Sequence, residues 1–316
     1  MSEFLKAAAI GTGMMGPGIA VTFALGGLEA VLVSRTEEGA AGGLAKAKAQ
    51  LEDLAAHGLV EGEQARQAAG RITSCIWLEA ACEQADIVVE SVPEQMELKQ
   101  ALFERLDRLA KPAAVLATNT SGLSVTRIAE RCMRPERVMT AHFWNPPHVM
   151  PLVELVKGEK TSRALMEEVK ALLARCGKIP VIVEKDRRGQ LGNRLQMALW
   201  REAVHIVEEG IATAEEVDLA ARMGFGLRLP ALGIFEHADA VGLDMVAGIM
   251  EYVSADLYSA PEAPPLLRRM VQEGKLGVKT GAGFLDWKQR SAGEVRQRRD
   301  NFLYQTLAAR RREGAG

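Results

Sequence analysis

The sequence has few cysteines, no long apolar run and no excess of charge of one sign. Its four cysteines, Cys75, Cys82, Cys132 and Cys176, lie far apart, with no Cys-x-x-Cys pair and no histidine at ligand spacing. This spacing argues against a zinc motif and a disulfide framework, so no metal site is predicted. We expect reduced thiols that mostly pack in the interior.

The balance of charge argues against nucleic acid as a partner. The 316 residues include 39 Lys and Arg against 41 Asp and Glu, a formal net charge of −2, so the basic field typical of nucleic-acid binding is lacking. No apolar segment reaches the roughly 20 residues needed to span a bilayer. The N-terminal segment lacks the basic and apolar regions of a secretory signal. We therefore expect a soluble cytoplasmic protein that binds a small molecule.

Short β-branched runs alternate with helical patterns from Lys6 to Glu184. The runs lie at 7–10, 30–33, 72–76, 87–89, 114–117, 138–142 and 181–184, and helical periodicity covers 97–109 and 163–176. This alternation predicts a doubly wound parallel sheet with helices on both faces, the Rossmann-type α/β arrangement. Helical patterns alone follow. We predict a dinucleotide-binding domain over 1–186 and an all-helical domain over 187–316.

A glycine-rich turn follows the first predicted strand. It reads Gly11-Thr-Gly13-Met14-Met15-Gly16 and opens a helical pattern. Gly11 permits the tight turn, Gly13 lets the backbone approach a pyrophosphate, and Gly16 lets the helix pack closely on the sheet. The amide groups at the start of the helix then face the phosphates, and we include Met14 and Met15 among the contacts. The motif predicts a dinucleotide site.

The end of the second predicted strand bears on which dinucleotide is bound. In NAD-binding proteins an acidic residue usually stands there and accepts hydrogen bonds from the ribose hydroxyls, whereas this chain reads Ser34-Arg35-Thr36. A hydroxyl followed by a guanidinium can bind a 2′-phosphate through charge-assisted hydrogen bonds. Alternatively, Ser34 bonds the ribose and Arg35 stacks on adenine, and the cofactor is NAD. The sequence leaves NAD or NADP open and favours NADP.

Six further motifs follow the glycine-rich turn. They are Val89-Glu-Ser-Val-Pro-Glu94 with Lys99, Asn119-Thr-Ser121, His142-Phe-Trp-Asn145-Pro146, Leu152-Val-Glu154, Gly192-Asn193-Arg194 and Lys279-Thr-Gly-Ala-Gly283-Phe. Together they resemble the L-3-hydroxyacyl-CoA dehydrogenase family in order and spacing. The resemblance implies a two-domain fold and a homodimer formed through the helical domain. It also implies that the cofactor is contacted by Glu94, Lys99, Asn119, Ser121 and Lys279.

The chemistry of alcohol oxidation indicates a base within the same motifs. A base must take the hydroxyl proton while a hydride leaves the carbon. Histidine ordinarily titrates near neutral pH, and His142 stands at the carboxyl end of a predicted strand, where open α/β sheets bind ligands. Glu154 can accept from the other ring nitrogen and stabilise the imidazolium. By resemblance, His142 and Glu154 form the catalytic pair, and Ser121 and Asn193 bind the reacting oxygen.

These residues predict an NAD(P)-dependent dehydrogenase that interconverts a 3-hydroxy and a 3-keto group on a small acyl-CoA. The segment after the base departs from the common acyl-CoA enzymes, because Trp144 replaces a smaller aromatic and Pro147 and Pro151 stiffen the chain. Here the sequence is similar to relatives that oxidise free hydroxy acids, such as L-gulonate, L-carnitine and pyridine-carboxylate dehydrogenases. A CoA-free hydroxy acid is therefore the alternative substrate. A catalytically inactive, crystallin-like structural protein is a third possibility, which the complete set of catalytic residues disfavours.

Overall fold

Residues 4–312 are described by the computed structural model, and the chain divides into two units. The first comprises the residues up to Asn193 together with those from Arg299 onward, and the second is Arg194–Arg298. The predicted boundary at 186/187 falls shortly before this division, whereas the C-terminal segment groups with the first unit. Among the described residues, no helix has the length and apolar character needed to cross a membrane.

An eight-stranded sheet forms the centre of the first unit. Its strands are β1 (Lys6–Ile10), β2 (Glu29–Val33), β3 (Ile72–Cys75), β4 (Ile87–Glu90), β5 (Val115–Thr118), β6 (Val138–Phe143), β7 (Leu152–Val156) and β8 (Ile179–Val183). Their order is β3-β2-β1-β4-β5-β6-β7-β8. The chain changes direction across the sheet between β1 and β4, the switch point where open α/β sheets bind ligands. The predicted Rossmann-type arrangement is confirmed.

One strand pair differs from the all-parallel expectation. All neighbouring strands are parallel except β6 and β7, which are antiparallel. The connection from Phe143 to Leu152 is shorter than the dozen or more residues that a parallel crossover needs, so the chain can only turn back. This reversal places the start of β7 beside the carboxyl end of β6.

Helices and apolar clusters cover both faces of the sheet. Side chains alternate along β1, so that Ala7 and Ala9 belong to one cluster and Ala8 to the other. Phe23 belongs to the first cluster and Phe103 to the second, and both are completely buried. The helices of this unit are α1 (Gly16–Leu25), α2 (Glu37–Ala56), α3 (Gly62–Arg71), α4 (Leu78–Gln84), α5 (Met96–Leu109), α6 (Val125–Ile128) and α7 (Arg163–Arg175).

The second unit is helical, as predicted, and contains few buried residues. Within Arg194–Arg298, only Pro264 and Met270 are buried, whereas Phe235 is 84% exposed and Tyr252 86% exposed. Its helices are α8 (Gly192–Glu208), which begins at the end of the first unit, α9 (Ala214–Met223), α10 (Phe225–Arg228), α11 (Ile234–Val241), α12 (Leu243–Ser254) and α13 (Pro265–Gln272).

The last helix, α14 (Ala292–Arg312), contributes its C-terminal part to the first unit. Leu303 and Leu307 pack against the apolar cluster that contains Phe23. The Tyr304 hydroxyl donates to the Asp53 carboxylate on α2, and the Tyr304 and His57 rings stack with centroids 4.1 Å apart. These contacts explain why this segment groups with the sheet.

Candidate active site

The predicted base and the predicted carboxylate lie opposite each other on neighbouring strands. β6 and β7 pair with His142 across from Glu154, and His142 Nδ1 lies 2.8 Å from Glu154 Oε2. Because an ionised carboxylate can only accept a hydrogen bond, Nδ1 carries a proton, and in the neutral ring the lone pair is therefore on Nε2. This tautomer is the one that a general base requires.

Four donors hold the Glu154 carboxylate. Oε2 accepts from His142 Nδ1 and also from the indole Nε1 of Trp144 at 3.0 Å. Oε1 accepts from the backbone amides of Leu191 and Gly192 at 2.9 and 2.8 Å. Burial raises the pKa of Glu154, but hydrogen bonds from His142, Gly192 and Trp144 outweigh burial and hold the pKa below its ordinary value. Glu154 is therefore ionised and suited to stabilise an imidazolium.

Polar residues after β5 and at the start of α8 lie next to this pair. Asn193 Nδ2 donates to the Ser121 backbone oxygen at 3.0 Å, so the two residues predicted to bind the reacting oxygen are adjacent. Asn119 Oδ1 accepts from the Phe143 backbone amide at 2.8 Å and joins the end of β5 to the end of β6. The fold thus brings Asn119, Ser121 and Asn193 to the edge of the sheet that carries His142.

The glycine-rich turn has the backbone that a dinucleotide requires. Gly11 has a φ of +102°, and a Cβ on Gly16 would lie 1.7 Å from the Gly11 carbonyl oxygen, so side chains are excluded at both positions. Gly13 differs, because no neighbouring heavy atom lies within 4 Å of its Cβ position. Met14 is 73% exposed, and Met15 packs against the core at the start of α1. The open space at Gly13 fits an approaching pyrophosphate.

An acidic and basic cluster lies between β4 and α5. The buried Glu90 carboxylate accepts from the Lys99 ammonium at 2.6 Å and from the Thr118 hydroxyl at 2.8 Å. Lys99 Nζ also lies 3.4 Å from Glu94 Oε2, and Glu94 Oε1 accepts from the Ser121 backbone amide at 3.1 Å. Since Lys99 is only 1% exposed, its visible role is to hold the two carboxylates. Its contact with the cofactor remains a prediction.

The turn after β2 places the residues that bear on NAD or NADP. The Thr12 hydroxyl donates to Ser34 Oγ at 3.2 Å, which ties this turn to the glycine-rich turn. Arg35 is exposed. Thr36 caps α2 by accepting from the Gly39 amide at 3.0 Å. Positions 34 and 35 carry no carboxylate. The nearest one in sequence is the exposed Glu37, the first residue of α2.

Lys279, the remaining predicted cofactor residue, lies in the second unit. It is exposed and borders an apolar cavity of about 900 Å³. Trp200, Phe284 and Trp287 also line this cavity. The contact of Lys279 with the cofactor remains a prediction.

Sequence reasoning missed two polar side chains at the site. The Ser91 hydroxyl, at the carboxyl end of β4, is buried and has no hydrogen-bond partner among the described residues. The backbone of Ser91 adjoins the glycine-rich turn, since a Cβ on Gly11 would lie 2.7 Å from the Ser91 carbonyl oxygen. Gln190 is the single non-glycine residue of positive φ in residues 4–312, at +53°, and its Nε2 donates to the Thr120 oxygen at 2.7 Å. An unpaired buried hydroxyl and a strained backbone are local signs of a binding site.

Comparison with known proteins agrees with this geometry. Residues 6–187 match the family described as 3-hydroxyacyl-CoA dehydrogenase, NAD binding domain, and residues 189–287 match the C-terminal domain of the same family. The chain belongs to the 3-hydroxyacyl-CoA dehydrogenase family. The resemblance inferred from the motifs is confirmed, and with it an NAD-binding dehydrogenase that acts on a CH–OH group.

Individual relatives of this 3-hydroxyacyl-CoA dehydrogenase family member fall into two groups. A probable 3-hydroxybutyryl-CoA dehydrogenase of Bacillus subtilis (strain 168) is 38% identical over 283 residues, which cover 89% of this chain and 97% of the relative. The L-carnitine dehydrogenase of Oceanobacillus iheyensis is 32% identical, with 96% and 97% coverage. A crystal structure of the NAD+-dependent 5-dehydrogenase of a formyl-hydroxy-methylpyridine carboxylic acid has a TM-score of 0.88 at 29% identity, covering 98% of each chain.

Proposed function

We propose that this dehydrogenase interconverts the 3-hydroxy and 3-keto groups of a small acyl-CoA, with His142 as the general base. The observation that carries the proposal is the buried pair in which Glu154 Oε2 lies 2.8 Å from His142 Nδ1. When bound, the nicotinamide supplies the acceptor for the hydride that leaves the substrate carbon. The glycine-rich turn and the unpaired Ser91 hydroxyl are the groups suited to hold the dinucleotide.

The protein residues move the proton and stabilise charge. His142 Nε2 takes the proton of the 3-hydroxyl, and the resulting imidazolium is balanced by the Glu154 carboxylate. The Ser121 hydroxyl and the Asn193 amide group donate hydrogen bonds to the reacting oxygen as charge develops on it. In the reverse direction the imidazolium returns the proton to the same oxygen.

A substrate panel tests this proposal. Acetoacetyl-CoA, free acetoacetate and several free hydroxy acids are each assayed with NAD(H) and NADP(H), and the absorbance of the reduced nicotinamide is followed. We expect kcat/KM for the thioester to exceed that of every free acid by about 100-fold, because the CoA moiety adds binding energy used in the transition state. Turnover of free acids alone would overturn the acyl-CoA proposal.

A CoA-free hydroxy acid is the second candidate substrate. The family match ends at residue 287, before α14. The pyridine-carboxylate 5-dehydrogenase structure covers 98% of this chain and the L-carnitine dehydrogenase covers 96%, so both extend into α14. A structure named as a 3-hydroxyacyl-CoA dehydrogenase covers 99% of this chain, so α14 does not separate the two candidates. The observation that favours the second is the TM-score of 0.88 for the pyridine-carboxylate 5-dehydrogenase structure, against 0.75 for a 3-hydroxybutyryl-CoA dehydrogenase structure. The same panel separates the two.

We further propose that the turn after β2 selects NADP over NAD. The proposal is supported by the absence of a carboxylate at Ser34 and by the exposed guanidinium of Arg35, which can pair with a 2′-phosphate. Replacing Arg35 with Ala should lower kcat/KM for NADP by about 10-fold or more and leave that for NAD nearly unchanged. Arg66→Ala, which breaks only a surface pair with Glu63, is the control. A native enzyme that prefers NAD would contradict this proposal.

A homodimer formed through the helical unit is also proposed. Large apolar side chains are exposed along its helices, including Leu227, Phe235 and Tyr252 at 66%, 84% and 86%. Monomeric proteins rarely leave such extensive apolar surface open, and a second copy offers a matching surface. Light scattering should give twice the chain mass of 34.2 kDa. Phe235→Glu should weaken the dimer and Trp77→Ser, in the sheet unit, should not; a monomer at micromolar concentration would contradict the proposal.

A cytoplasmic location is the last part of the proposal, and the state of the cysteines supports it. All four cysteines are free. Burial raises the pKa of Cys82 and Cys132 to about 12 and that of Cys176 to about 11, so these thiols resist oxidation. Thiol titration of the denatured protein, purified without reductant, should recover all four; a missing pair would contradict this assignment.

A further inference from the structure

Trp144 shares the orienting carboxylate with the catalytic base. Its indole Nε1 donates to Glu154 Oε2 at 3.0 Å, and His142 Nδ1 lies 2.8 Å from the same oxygen atom. The His142 and Trp144 ring centroids are 5.7 Å apart and the rings are tilted by 54°. The indole also lies against the backbone at the start of α8, since a Cβ on Gly192 would lie 2.4 Å from Trp144 Cζ2. The position of the indole is therefore fixed by packing as well as by its hydrogen bond.

A second donor on Glu154 Oε2 changes how strongly the carboxylate stabilises the His142 imidazolium. A hydrogen bond to a carboxylate stabilises its ionised form and lowers its affinity for protons. A less basic Glu154 attracts the Nδ1 proton less strongly and stabilises the His142 imidazolium less. The indole bond should therefore keep His142 neutral, and able to act as a base, down to a lower pH.

We propose that Trp144 is a positioning residue that sets the pH range in which His142 acts as a base, through its hydrogen bond to Glu154. The inference rests on the proposed role of His142 in the reaction. Phenylalanine in the same place would keep most of the ring packing but could not make this bond. Trp144 is thus assigned to the catalytic pair and not to the substrate.

The backbone amides of Leu191 and Gly192 also donate to Glu154, at Oε1, but a substitution at Trp144 leaves these bonds in place. The other polar groups near the pair do not bond Glu154. On the β5 side, Asn119 and Ser121 are uncharged, and the Glu94 carboxylate bonds the Ser121 amide and pairs with Lys99. Just before β8, Lys178 Nζ donates to the Pro147 and Met150 carbonyl oxygens at 2.6 and 3.0 Å. Burial lowers the pKa of Lys178 to about 7, but Lys178 is the same in the native enzyme and in Trp144→Phe, so its titration does not shift one pH profile relative to the other. His148 is the other titratable group of the loop between β6 and β7, and burial and the charge of Lys178 lower its pKa to about 4, so it is neutral during turnover. Glu154 is the carboxylate that bonds His142, and the indole acts directly on it.

The test is the pH dependence of kcat/KM for Trp144→Phe in both reaction directions. Oxidation of 3-hydroxybutyryl-CoA needs neutral His142. For this direction we expect the acidic limb of the kcat/KM profile to move up by about 0.5 to 1 pH unit, so that kcat/KM at pH values below the limb falls about 3- to 10-fold. For reduction of acetoacetyl-CoA, which needs the imidazolium, the basic limb should move up by the same amount. Trp77→Phe, which replaces an indole that is 66% exposed on the sheet unit, should leave both limbs in place.

Specific results would overturn the inference. A Trp144→Phe enzyme that loses activity equally at every pH would show a role in packing alone and would overturn the inference. If Trp144→Phe fails to fold, native enzyme grown with 5-fluorotryptophan, whose indole N–H is a stronger donor, should show both limbs moved down, and unmoved limbs would again overturn it. A native enzyme inactive on both thioesters would refute the proposed function instead, so the two failures are distinguishable.

Discussion

Replacing Glu154 with Gln tests the role of the carboxylate with the smallest change of shape. In the native site, Oε1 accepts two backbone amides and Oε2 accepts His142 Nδ1 and Trp144 Nε1. A glutamine has one oxygen and one NH2 group. If its oxygen keeps the backbone amides of Leu191 and Gly192, the NH2 group faces two further donors. His142 can then satisfy it only by accepting at Nδ1 and carrying its proton on Nε2.

The expected magnitude follows from this change of tautomer. With the proton on Nε2, His142 cannot take a proton from the substrate, and the imidazolium loses its counter-charge. Loss of the correct tautomer in a comparable histidine and carboxylate pair costs about 10⁴-fold in kcat, and we expect a loss of about 10³- to 10⁴-fold, or about 4 to 5.5 kcal/mol in the barrier. The unpaired Trp144 indole should also lower the free energy of unfolding by about 1 to 3 kcal/mol.

The assay is kcat/KM for acetoacetyl-CoA reduction, with cofactor affinity measured separately by fluorescence titration. Cofactor affinity should not change, because the four bonds of Glu154 lie away from the glycine-rich turn. Glu154→Asp keeps the charge but shortens the side chain, and should lose less activity than Glu154→Gln. A Glu154→Gln enzyme within 10-fold of native activity would refute the assignment of Glu154 as the partner of His142.

Three further outcomes are expected. Gly13→Ala should weaken cofactor binding about 10-fold at unchanged melting temperature, because the methyl group enters open space that the dinucleotide needs, whereas Gly42→Ala, equally open, should not; equal affinities would contradict this. Lys178→Met should lower the free energy of urea unfolding by about 2 to 4 kcal/mol, because two loop carbonyls lose their buried donor; an unchanged urea midpoint would argue otherwise. For Asp107, burial raises the pKa, but hydrogen bonds from Arg137 and a backbone amide outweigh it and hold the pKa low. Its stabilising effect is present above the ordinary aspartate pKa and is lost as pH falls through the depressed value, so Asp107→Asn should flatten the acid limb of stability measured by urea unfolding, and parallel limbs would contradict the assignment.

Local patterns predict most of the nucleotide-binding half of the fold, but not the antiparallel pairing of β6 and β7. The glycine-rich turn, the strand that precedes it and the helix that follows are set by neighbouring residues. The predicted strand at 138–142 ends within one residue of β6 (Val138–Phe143), which placed His142 at the correct edge of the sheet. The pairing of His142 with Glu154 was inferred from resemblance, and the antiparallel register of β6 and β7 supplies its physical cause.

Contacts between residues distant in sequence could not be predicted in the same way. The bond from Trp144 to Glu154 depends on the direction of an indole, which no periodicity encodes, and the sequence connects Trp144 only with the choice of substrate. The buried Lys178 ammonium has no acidic neighbour in sequence to mark it. The attachment of α14 depends on Tyr304 reaching Asp53 from the far end of the chain, and an Arg-rich segment gives little sign of it.

The role of His142 as the group that moves the proton is tested most directly by acetoacetyl-CoA reduction. The reaction is measured with native enzyme and with His142→Gln, and cofactor affinity is measured on the same samples. Glutamine can fill the space and accept or donate hydrogen bonds, but it cannot transfer a proton near neutral pH. We expect the native enzyme to turn over the thioester and His142→Gln to lose about 10²- to 10⁴-fold in kcat at unchanged cofactor affinity. A His142→Gln enzyme that keeps native kcat would contradict the assignment of His142 as the group that moves the proton.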